Sequence, residues 1–577
     1  MNAPELPVAP CAPPEDHRRS VVALCLAVAL VVLFGLAAYS ESLWLPPVDD
    51  SDEAAYFDEA CWIAEHGGAV AFPGHCLRGE YPYDNRHPLT AWAVSPWAAR
   101  SLAAVRPMRA AKVAVAVCAL VLTLFACRGI MPPLPSVAVT ALLAVSQNWF
   151  MKSRVVCVEP MIYALIFTSW ALVSGLWRPP ARWFWAGAAV GAAYLAKGTA
   201  NILVLALLLA LAVHWLIERI GTTSAEPAPR RVPDWRPAAL FLAGFILCAG
   251  LLLARNTVRY GAPFHNRNAA LMWADDDGAQ HWTAEQRARN PLTLRAYLQR
   301  HSLGDVAERM GGGIVKQAPR FLGALGVDAS CGALLRGATL ALSACIILLG
   351  LVHAGQRWRS WEGVFTLALV GSGFLLFAWH SPITSASRFA ATLAPPCLAL
   401  AFMTTPPLPA RWVECLRRWR TPAMLLIVLL AMGILIGRTP WRQIGRPAGA
   451  PPTTPEYRFL LAWLERHCVA EGKACYQTPF LAPRYPLHWL LPPSAPLVDV
   501  PPFRDFAELQ RQMDADGARY LIVERDSMRD RWPVFSAFFD ATPDGGLVLR
   551  RLPAGWHVGE SDPYPPCDFI ILERDGP

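Results

Sequence analysis

Charged residues are scarce in this chain, making up 17% of 577 positions against roughly 25% in an ordinary soluble protein. Hydrophobic residues reach 54% and the mean hydropathy is +0.30, which excludes a mainly soluble, disordered or fibrous protein. The 15 cysteines lack the regular CxxC spacing of a zinc or haem framework. We also find no internal repeat, no Gly-rich phosphate loop before a helix and no nucleotide-binding half-domain.

Long apolar runs are what the sequence has instead. Residues 20–40 contain no charged side chain over 21 positions, enough to cross a hydrocarbon core of about 30 Å. The preceding Arg18 and Arg19 also suit a signal peptide, but many further runs follow and favour a retained anchor. The net charge of +8 comes from scattered Lys and Arg that flank these runs. The sequence therefore predicts an integral membrane protein that does not bind nucleic acid.

Eleven membrane spans are predicted. The 183–217 run is too long for one crossing and is divided at Lys197-Gly198, because a lipid-facing charge is costly at mid-bilayer. The other runs are 20–40, 108–127, 132–150, 159–177, 237–254, 335–353, 363–379, 389–406 and 422–438.

The charge bias predicts the orientation. Residues 89–105 could form a twelfth span, but Pro96 and Arg100 interrupt them and Trp92 and Trp97 suit an interface. With this stretch lying flat and the N-terminus inside, the short inner segments hold 15 Lys and Arg and the short outer loops only four. We expect a multi-pass protein of a bacterial-type inner membrane, with a cytoplasmic N-terminus and an extracytoplasmic C-terminal domain.

The predicted fold is mainly α, a bundle of about 11 transmembrane helices with an outer juxtamembrane loop domain and a C-terminal soluble α/β domain. Amphipathic helices are expected around Leu460 and Leu509, and buried strands at 520–523 and 569–572. The expected divisions are a cytoplasmic tail 1–19, a membrane module 20–438 with outer loops 41–107 and 255–334, and the domain 439–577.

Disulfides are expected outside the cytoplasm, because that compartment is oxidising. The pairs Cys61 with Cys76 and Cys468 with Cys475 are plausible. Cys567 could replace either partner in the C-terminal domain, since pairing cannot be read from spacing.

The first outer loop carries the strongest chemical signal. Asp52 and Glu53 stand just beyond a span and begin a helical pattern that would hold them at the membrane surface. A carboxylate there could act as a base towards a hydroxyl while a lipid-borne reactant stays in the bilayer. On charge alone, a solvated acidic loop explains the same residues.

Other charged residues recur at predicted outer edges. Arg86 and His87 could meet lipid phosphates, although basic residues also snorkel to headgroups without further function. Glu159 with Pro160 could simply begin a helix. Lys197, in a turn between two spans, and Arg388, at the start of another, are each compatible with ordinary topology.

In this order, the motifs resemble the C-type membrane glycosyltransferases, in the branch of the protein O-mannosyltransferases and the lipid A aminoarabinose transferases. The resemblance covers roughly residues 20 to 405, with Glu159 where Asp is usual and His87 where Lys or Pro is more common. The matching residues are Asp52-Glu53 with Tyr56, His87-Pro88, Glu159-Pro160, Lys197-Gly198 and Arg388-Phe389.

The resemblance implies a hexosyl- or pentosyltransferase with a polyprenyl-phosphate-linked sugar as donor. The acceptor would be a hydroxyl or amine of a cell-envelope lipid, glycan or protein, on the outer face of the membrane. Asp52 would be the base of an inverting displacement, and Glu53 and Glu159 would orient the acceptor or pair with cations. Tyr56 would contact the acceptor or the sugar. The residues implied to stabilise the departing phosphate are Lys197, Arg388, Arg86 or His87, and Arg255 or Arg259.

No cofactor is implied. Asp52 and Glu159 could in principle hold a divalent ion, but two carboxylates on separate loops are poor ligands for a hard cation. A transporter or flippase of lipid-linked sugars is the main alternative, with Lys197 and Glu159 on a path of ionisable groups. A noncatalytic polymer-assembly or sensor protein is a second alternative.

Overall fold

A computed structural model of the chain describes residues 14–45, 51–84, 86–221, 235–276, 279, 289–383, 387–403, 410–441, 455–477, 491, 495–500, 505–524, 539–541, 547–549, 556–559 and 569–574. The first half of these residues forms α1 (Pro14–Ser42), α2 (Ser51–Glu65), α3 (Gly68–Leu77), α4 (Leu89–Val94), α5 (Leu102–Ile130), α6 (Pro133–Val145), α7 (Gln147–Ser153), α8 (Glu159–Val173), α9 (Arg182–Ala196), α10 (Asn201–Gly221), α11 (Arg236–Tyr260) and α12 (Arg267–Ala270).

The second half begins with further helices and ends in a mixed region. The helices are α13 (Leu294–Arg300), α14 (Leu303–Leu322), α15 (Ala333–Gln356), α16 (Trp361–Trp379), α17 (Ser387–Ala390), α18 (Ala394–Met403), α19 (Ala410–Arg438), α20 (Pro455–Leu464) and α21 (Phe506–Ala515). The strands are β1 (Ala474–Gln477), β2 (Leu497–Asp499), β3 (Ala518–Glu524), β4 (Phe539–Ala541), β5 (Leu547–Leu549), β6 (Trp556–Val558) and β7 (Phe569–Arg574).

Seven helices in the described residues are long and apolar enough to span a membrane, and α6 with α7 makes an eighth if that pair, bent by 65°, is one span. Two predicted spans correspond to shorter apolar helices, α8 and α17 with α18. A helix of 15 residues such as α8 extends only about 22 Å, less than the core of about 30 Å. The structure therefore shows a polytopic helical membrane protein, and the predicted count of eleven is unconfirmed.

Two local predictions for the bundle agree with the helix ends. Residues 89–105 form α4, a 3₁₀ turn at Ser95–Trp97 and the start of α5, so they do not make a span of their own. The 183–217 run breaks at Lys197, between α9 and α10. Helix α9 then packs closely on α11, since a Cβ at Gly187 or Gly244 would collide with the carbonyl of Phe241 or Phe184.

One end of the bundle carries a layer of short helices, formed by α2, α3, α4 and the loop 78–88, which we call the α2 layer. Asp58 of α2 accepts hydrogen bonds from Tyr83 at 2.6 Å and Arg100 at 3.0 Å. Arg100 also donates to Glu65 at 2.6 Å. Phe57 and Ala60 belong to the same apolar core as the long helices. The α2 layer is therefore a fixed part of the bundle.

The C-terminal region contains the expected helices and sheet. Five of the seven described strands form one sheet in the order β2-β1-β3-β7-β6, with β1, β2 and β3 parallel and β7 antiparallel to its neighbours. The strands β4 and β5 pair with each other in a second, antiparallel sheet. Alternate residues of β3 face opposite sides, so Ile522 packs with Leu460 of α20 and Leu521 with Leu509 of α21. Leu102 at the start of α5 contacts the α20 side.

The structure describes four of the five cysteines considered for disulfides, and these four are thiols in it. Cys61 and Cys76 are buried in α2 and α3. Cys468 and Cys475 are buried in one apolar cluster of the C-terminal region, and both disulfides stay predictions. Cys567 lies outside the described residues.

Candidate active site

Asp52 lies in the first turn of α2, where the helix dipole favours a carboxylate. Its side chain is 28% exposed and pairs with Arg388 and, at 3.3 Å, with Arg86. Burial alone would raise the pKa of Asp52, but the charges of Arg388, Arg86 and Lys197 outweigh it and hold the pKa below its ordinary value. Asp52 is therefore an ionised carboxylate between two guanidinium groups.

A second carboxylate joins the same cluster. Glu159 begins α8, and its Oε1 atom accepts a hydrogen bond from Lys197 Nζ at 3.0 Å. Arg388 Nη1 lies 3.7 Å from the same oxygen and also contacts Asp52. We call Asp52, Arg86, Glu159, Lys197 and Arg388 the charged cluster. Its three cations and two carboxylates leave it with an excess of positive charge, which suits an anionic ligand.

The cluster is assembled from distant parts of the chain. Arg86 comes from the loop before α4, Lys197 from the break between α9 and α10, and Arg388 from the short α17. The ring of Phe389 lies 4.9 Å from Lys197 Nζ, a cation–π distance that fixes the ammonium group beside Glu159. The segments between the long helices thus place the ionisable groups at one end of the bundle.

Tyr56 lies one helical turn after Asp52, on the same face of α2. The Arg86 guanidinium lies 6.0 Å from the centre of its ring. Burial and the nearby carboxylates of Glu159 and Asp52 raise the pKa of Tyr56 well above its usual value. Its hydroxyl therefore stays protonated and can donate a hydrogen bond beside Asp52.

Glu53 points away from the charged cluster and into the bundle. Its carboxylate is fully buried and accepts two hydrogen bonds from Arg109 of α5, at 2.8 and 2.7 Å. It also accepts one from the backbone N–H of Val156 at 2.9 Å. Arg109 in turn donates to the carbonyls of Ser42 and Leu45. The structure thus places Glu53 where it ties α2 to α1 and α5; its predicted catalytic role stays a prediction.

His87 is buried, and both of its ring nitrogens have partners. Nδ1 donates to the carbonyl of Tyr194, and Nε2 lies 3.0 Å from the Asn266 amide nitrogen, which donates to it. Burial lowers the pKa of His87 to about 4, so the ring is neutral. A Cβ at Gly198 would lie 2.5 Å from the Asn266 amide, which explains the glycine after Lys197.

Arg255 and Arg259 of α11 bind the α2 layer through its backbone. Arg255 is buried and donates to the carbonyls of Tyr81, at 3.0 Å, and Tyr83. Arg259 donates to the carbonyl of Gly79 at 3.0 Å. Among the described contacts, the structure does not bring either arginine to Asp52, and their predicted binding of phosphate stays a prediction. Here they fix the loop that leads to Arg86 and His87.

Arg109, Asn266 and Glu59 are features of this region that the sequence motifs did not indicate. Arg109 could have been noticed, because it is a charged residue within an apolar helix. Glu59 shares the face of α2 that carries Asp52, seven residues earlier. Nothing in the sequence pattern marks Asn266, since its partner His87 is 179 residues away.

A divalent metal does not fit the charged cluster. Arg388 Nη1 contacts both Asp52 and Glu159, so cations already compensate these carboxylates. A hard cation requires several oxygen ligands. Within the described ranges, no group of three or more His, Cys, Asp or Glu side chains could hold a metal ion.

Comparison with known proteins identifies the fold. No protein-family model and no curated protein sequence matches the chain. The crystal structure of ArnT from Cupriavidus metallidurans, bound to undecaprenyl phosphate, superposes with a TM-score of 0.51 and 14% identity, over 94% of this chain and 97% of that one. The second structure is AglB, an archaeal oligosaccharyltransferase from Archaeoglobus fulgidus, in complex with an inhibitory peptide and a dolichol-phosphate. Its TM-score is 0.45 and its sequence identity 11%, over 92% of this chain and 75% of that one.

The ArnT likeness confirms the predicted C-type glycosyltransferase fold. The superposition covers 94% of the chain. It therefore extends beyond residues 20 to 405, where the sequence motifs lie, into the C-terminal region. At 14% identity it establishes the fold, and the chemistry must be argued from this chain's own residues.

Proposed function

We propose that this chain is a membrane glycosyltransferase that moves a sugar from a polyprenyl-phosphate donor to a hydroxyl or amine of a cell-envelope acceptor, on the outer face of the membrane. The observation that carries the proposal is the charged cluster, in which Asp52 lies between Arg86 and Arg388 beside the Glu159–Lys197 pair. The undecaprenyl phosphate bound to ArnT supports the donor class.

Asp52 is the proposed base. Its carboxylate takes the proton of the acceptor hydroxyl or amine while the acceptor's lone pair forms the bond to the anomeric carbon. The bond from that carbon to the phosphate oxygen breaks on the opposite face, and its electron pair leaves with the polyprenyl phosphate. A single displacement inverts the anomeric configuration and needs one base. Lys197 and Arg388 stabilise the charge that develops on the leaving phosphate.

Donor binding explains how Asp52 becomes basic enough to act. In the structure its pKa is held down by the cations that the phosphate also needs, above all Arg388. An incoming phosphate carries negative charge and competes with Asp52 for Arg388 and with Glu159 for Lys197. As these contacts pass to the phosphate, the cations lower the pKa of Asp52 less, and its affinity for the acceptor proton rises. The base is thus activated when the donor is in place.

We place the polyprenyl chain in an apolar groove whose lining includes residues close in sequence to Glu159 and Lys197. Its volume is about 670 Å³, and it runs between α4, α5, α8 and α9. Its lining includes Leu89, two residues after His87, and Met161, two residues after Glu159. It also includes Ala192, five residues before Lys197. An isoprenoid tail in this groove would keep its phosphate at the charged cluster while most of the lipid stays among apolar side chains.

The test is transfer by purified protein in detergent, with undecaprenyl-phosphate-linked hexoses and pentoses as donors and cell-envelope extract as acceptor. Wild type should release undecaprenyl phosphate only when acceptor is present, and D52N should not. E65Q is the matched control, since Glu65 ends the same helix and contacts Arg100. A transporter has no compartments to connect in detergent, so absence of acceptor-dependent release from wild type would favour that alternative and overturn the proposal.

A further inference from the structure

Glu59 is a buried acid that the proposed mechanism does not use. It lies on α2 with an exposed fraction of 0%, and neither of its carboxyl oxygens has a hydrogen-bond partner among the described residues. The other buried carboxylates of those residues all have a cationic partner: Glu53 has Arg109, Glu159 has Lys197 and Asp328 has Arg438. Glu59 is the exception in this set.

Such a group is costly for the fold. Glutamate is almost never fully buried unless it is paired, and an unsatisfied polar group loses its hydration without compensation. A structural role would supply Glu59 with a hydrogen bond, as it does for Glu53. A carboxyl group without a hydrogen-bond partner in the protein keeps its donor and acceptor capacity for a ligand.

The position of Glu59 indicates which part of a ligand it would meet. Asp52, Tyr56 and Glu59 stand at positions i, i+4 and i+7 of α2 and so share one face. The charges that act on Asp52 are those of Arg388, Arg86 and Lys197, whereas those that act on Glu59 are Arg86, Asp58 and Arg255. Glu59 is therefore under the influence of Arg86 and Arg255 rather than of Lys197 and Arg388, the cations assigned to the phosphate.

The distance suits one sugar ring. Seven residues of an α-helix separate Asp52 from Glu59 by about 10.5 Å along the axis. A ring whose anomeric carbon lies near Asp52 can extend past Tyr56 and present a hydroxyl to Glu59. Two other buried hydroxyls of the α2 layer, those of Tyr81 and Thr90, also have no hydrogen-bond partner in the described part of the chain.

The protonation state of Glu59 fits a sugar better than a cation. Burial raises the pKa of Glu59 well above its usual value, and the charge of Arg86 only partly opposes this. A protonated carboxyl group has one donor and remaining acceptor capacity. It can therefore bind a hydroxyl, which is itself both donor and acceptor, without burying a net charge.

We propose that Glu59 is a specificity-determining residue that binds a hydroxyl of the transferred sugar. The inference rests on the proposed function, because it requires a sugar-bearing donor at Asp52. It assigns the phosphate to the Lys197 side of Asp52 and the sugar to the Tyr56 side.

The test compares two probes, undecaprenyl phosphate and undecaprenyl-phosphate-linked hexose or pentose, in binding to E59L, E59Q and wild type in detergent. Leucine removes the hydrogen-bonding group, whereas glutamine keeps a neutral donor and acceptor of the same size. E59L should bind the sugar-bearing probe at least about tenfold more weakly and undecaprenyl phosphate within about twofold of wild type, since a lost hydrogen bond to a buried partner is of that order. E59Q should remain within about threefold of wild type for both.

Stability separates this role from a structural one. Both variants should unfold at or above the wild-type temperature, because E59L removes a buried group without a partner and E59Q introduces no charge. The inference would be overturned if E59L bound both probes as tightly as wild type does. It would also be overturned if E59L lost affinity for both probes to the same extent, or if either variant unfolded at a lower temperature than wild type. If E59L does not fold, a tenfold loss of both probes by folded E59Q would also overturn it. If wild type bound neither undecaprenyl phosphate nor the sugar-bearing probe, the proposed function itself would be contradicted.

Discussion

Asp52 and Glu53 are consecutive carboxylates on α2, yet they lie in two different regions of the molecule. Glu53 and its partner Arg109 are 0% and 1% exposed, inside the bundle and held by additional backbone contacts. Asp52 and its partners Arg86 and Arg388 are 28%, 25% and 21% exposed, at the edge of the bundle. The charges of the first region are buried and already compensate each other, whereas those of the second are partly exposed.

The difference shows how one short motif can combine structure with chemistry. Successive helical residues point about 100° apart, and here Asp52 turns to Arg388 while Glu53 turns to Arg109. The buried Glu53–Arg109 pair positions the first turn of α2, and this turn presents Asp52 to the cations of other segments. The comparison predicts that changes in the two regions affect different properties, namely folding for the first and transfer for the second.

The largest expected effect is that of D52N on transfer. Removal of a general base typically lowers a rate about 10²–10⁴-fold, and asparagine keeps the shape of the side chain. The unfolding temperature should stay close to that of wild type, because the lost contacts are partly exposed ion pairs. Parallel measurement of transfer and thermal unfolding checks this. A D52N variant that transfers at half the wild-type rate would remove the distinction between the two regions.

The second effect is on folding. Replacement of Arg109 by Met leaves the Glu53 carboxylate buried without its partner, which is expected to destabilise the protein by about 3–5 kcal/mol. The double change E53M/R109M should recover most of that loss, since buried pairs can often be replaced by apolar residues. Thermal unfolding of the single and double variants measures both. If R109M unfolds like wild type, the Glu53 pair does not hold α2.

The third effect concerns acid stability and His87. Its pKa is about 4 in the fold against an ordinary 6.5, so the folded state favours the neutral ring. The free energy of unfolding therefore does not depend on this ring above pH 6.5. It falls by about 3 kcal/mol as the pH drops from 6.5 towards 4, because the unfolded state takes up a proton that the folded state does not. H87Q cannot titrate and should show a flatter dependence of unfolding temperature on pH over this range. Identical pH profiles for H87Q and wild type would show that the ring is not the cause.

The smallest effect separates cations in the charged cluster from those that bind the loop. K197M should weaken binding of undecaprenyl phosphate about 10- to 100-fold, since hydrogen bonds to charged groups contribute about 1.5–3 kcal/mol. R259M should change it little, because Arg259 binds the carbonyl of Gly79. Equal losses in both variants would show that the phosphate lies nearer α11 than the cluster implies.

The sequence predicts the membrane class, the sheet of the C-terminal region and most helix positions, because hydropathy and periodicity are local properties. The span count is less predictable, since a short helix such as α8 and the bend between α6 and α7 depend on their neighbours. Motif order placed Asp52, Lys197 and Arg388 together, and the structure brings them together. The sequence could not show that the Glu53 side chain pairs with Arg109, because the packing of distant segments determines which side chains meet.

The central claim is that Arg388, which holds Asp52 in the resting structure, and Lys197, which holds Glu159, receive the donor phosphate. A cryo-EM structure of the protein with undecaprenyl phosphate tests it most directly. The account predicts the phosphate within hydrogen-bonding distance of Arg388 and Lys197, the isoprenoid chain in the groove lined by Leu89 and Ala192, and a longer Asp52–Arg388 separation. A phosphate bound elsewhere, with the Asp52–Arg388 pair intact, would contradict it.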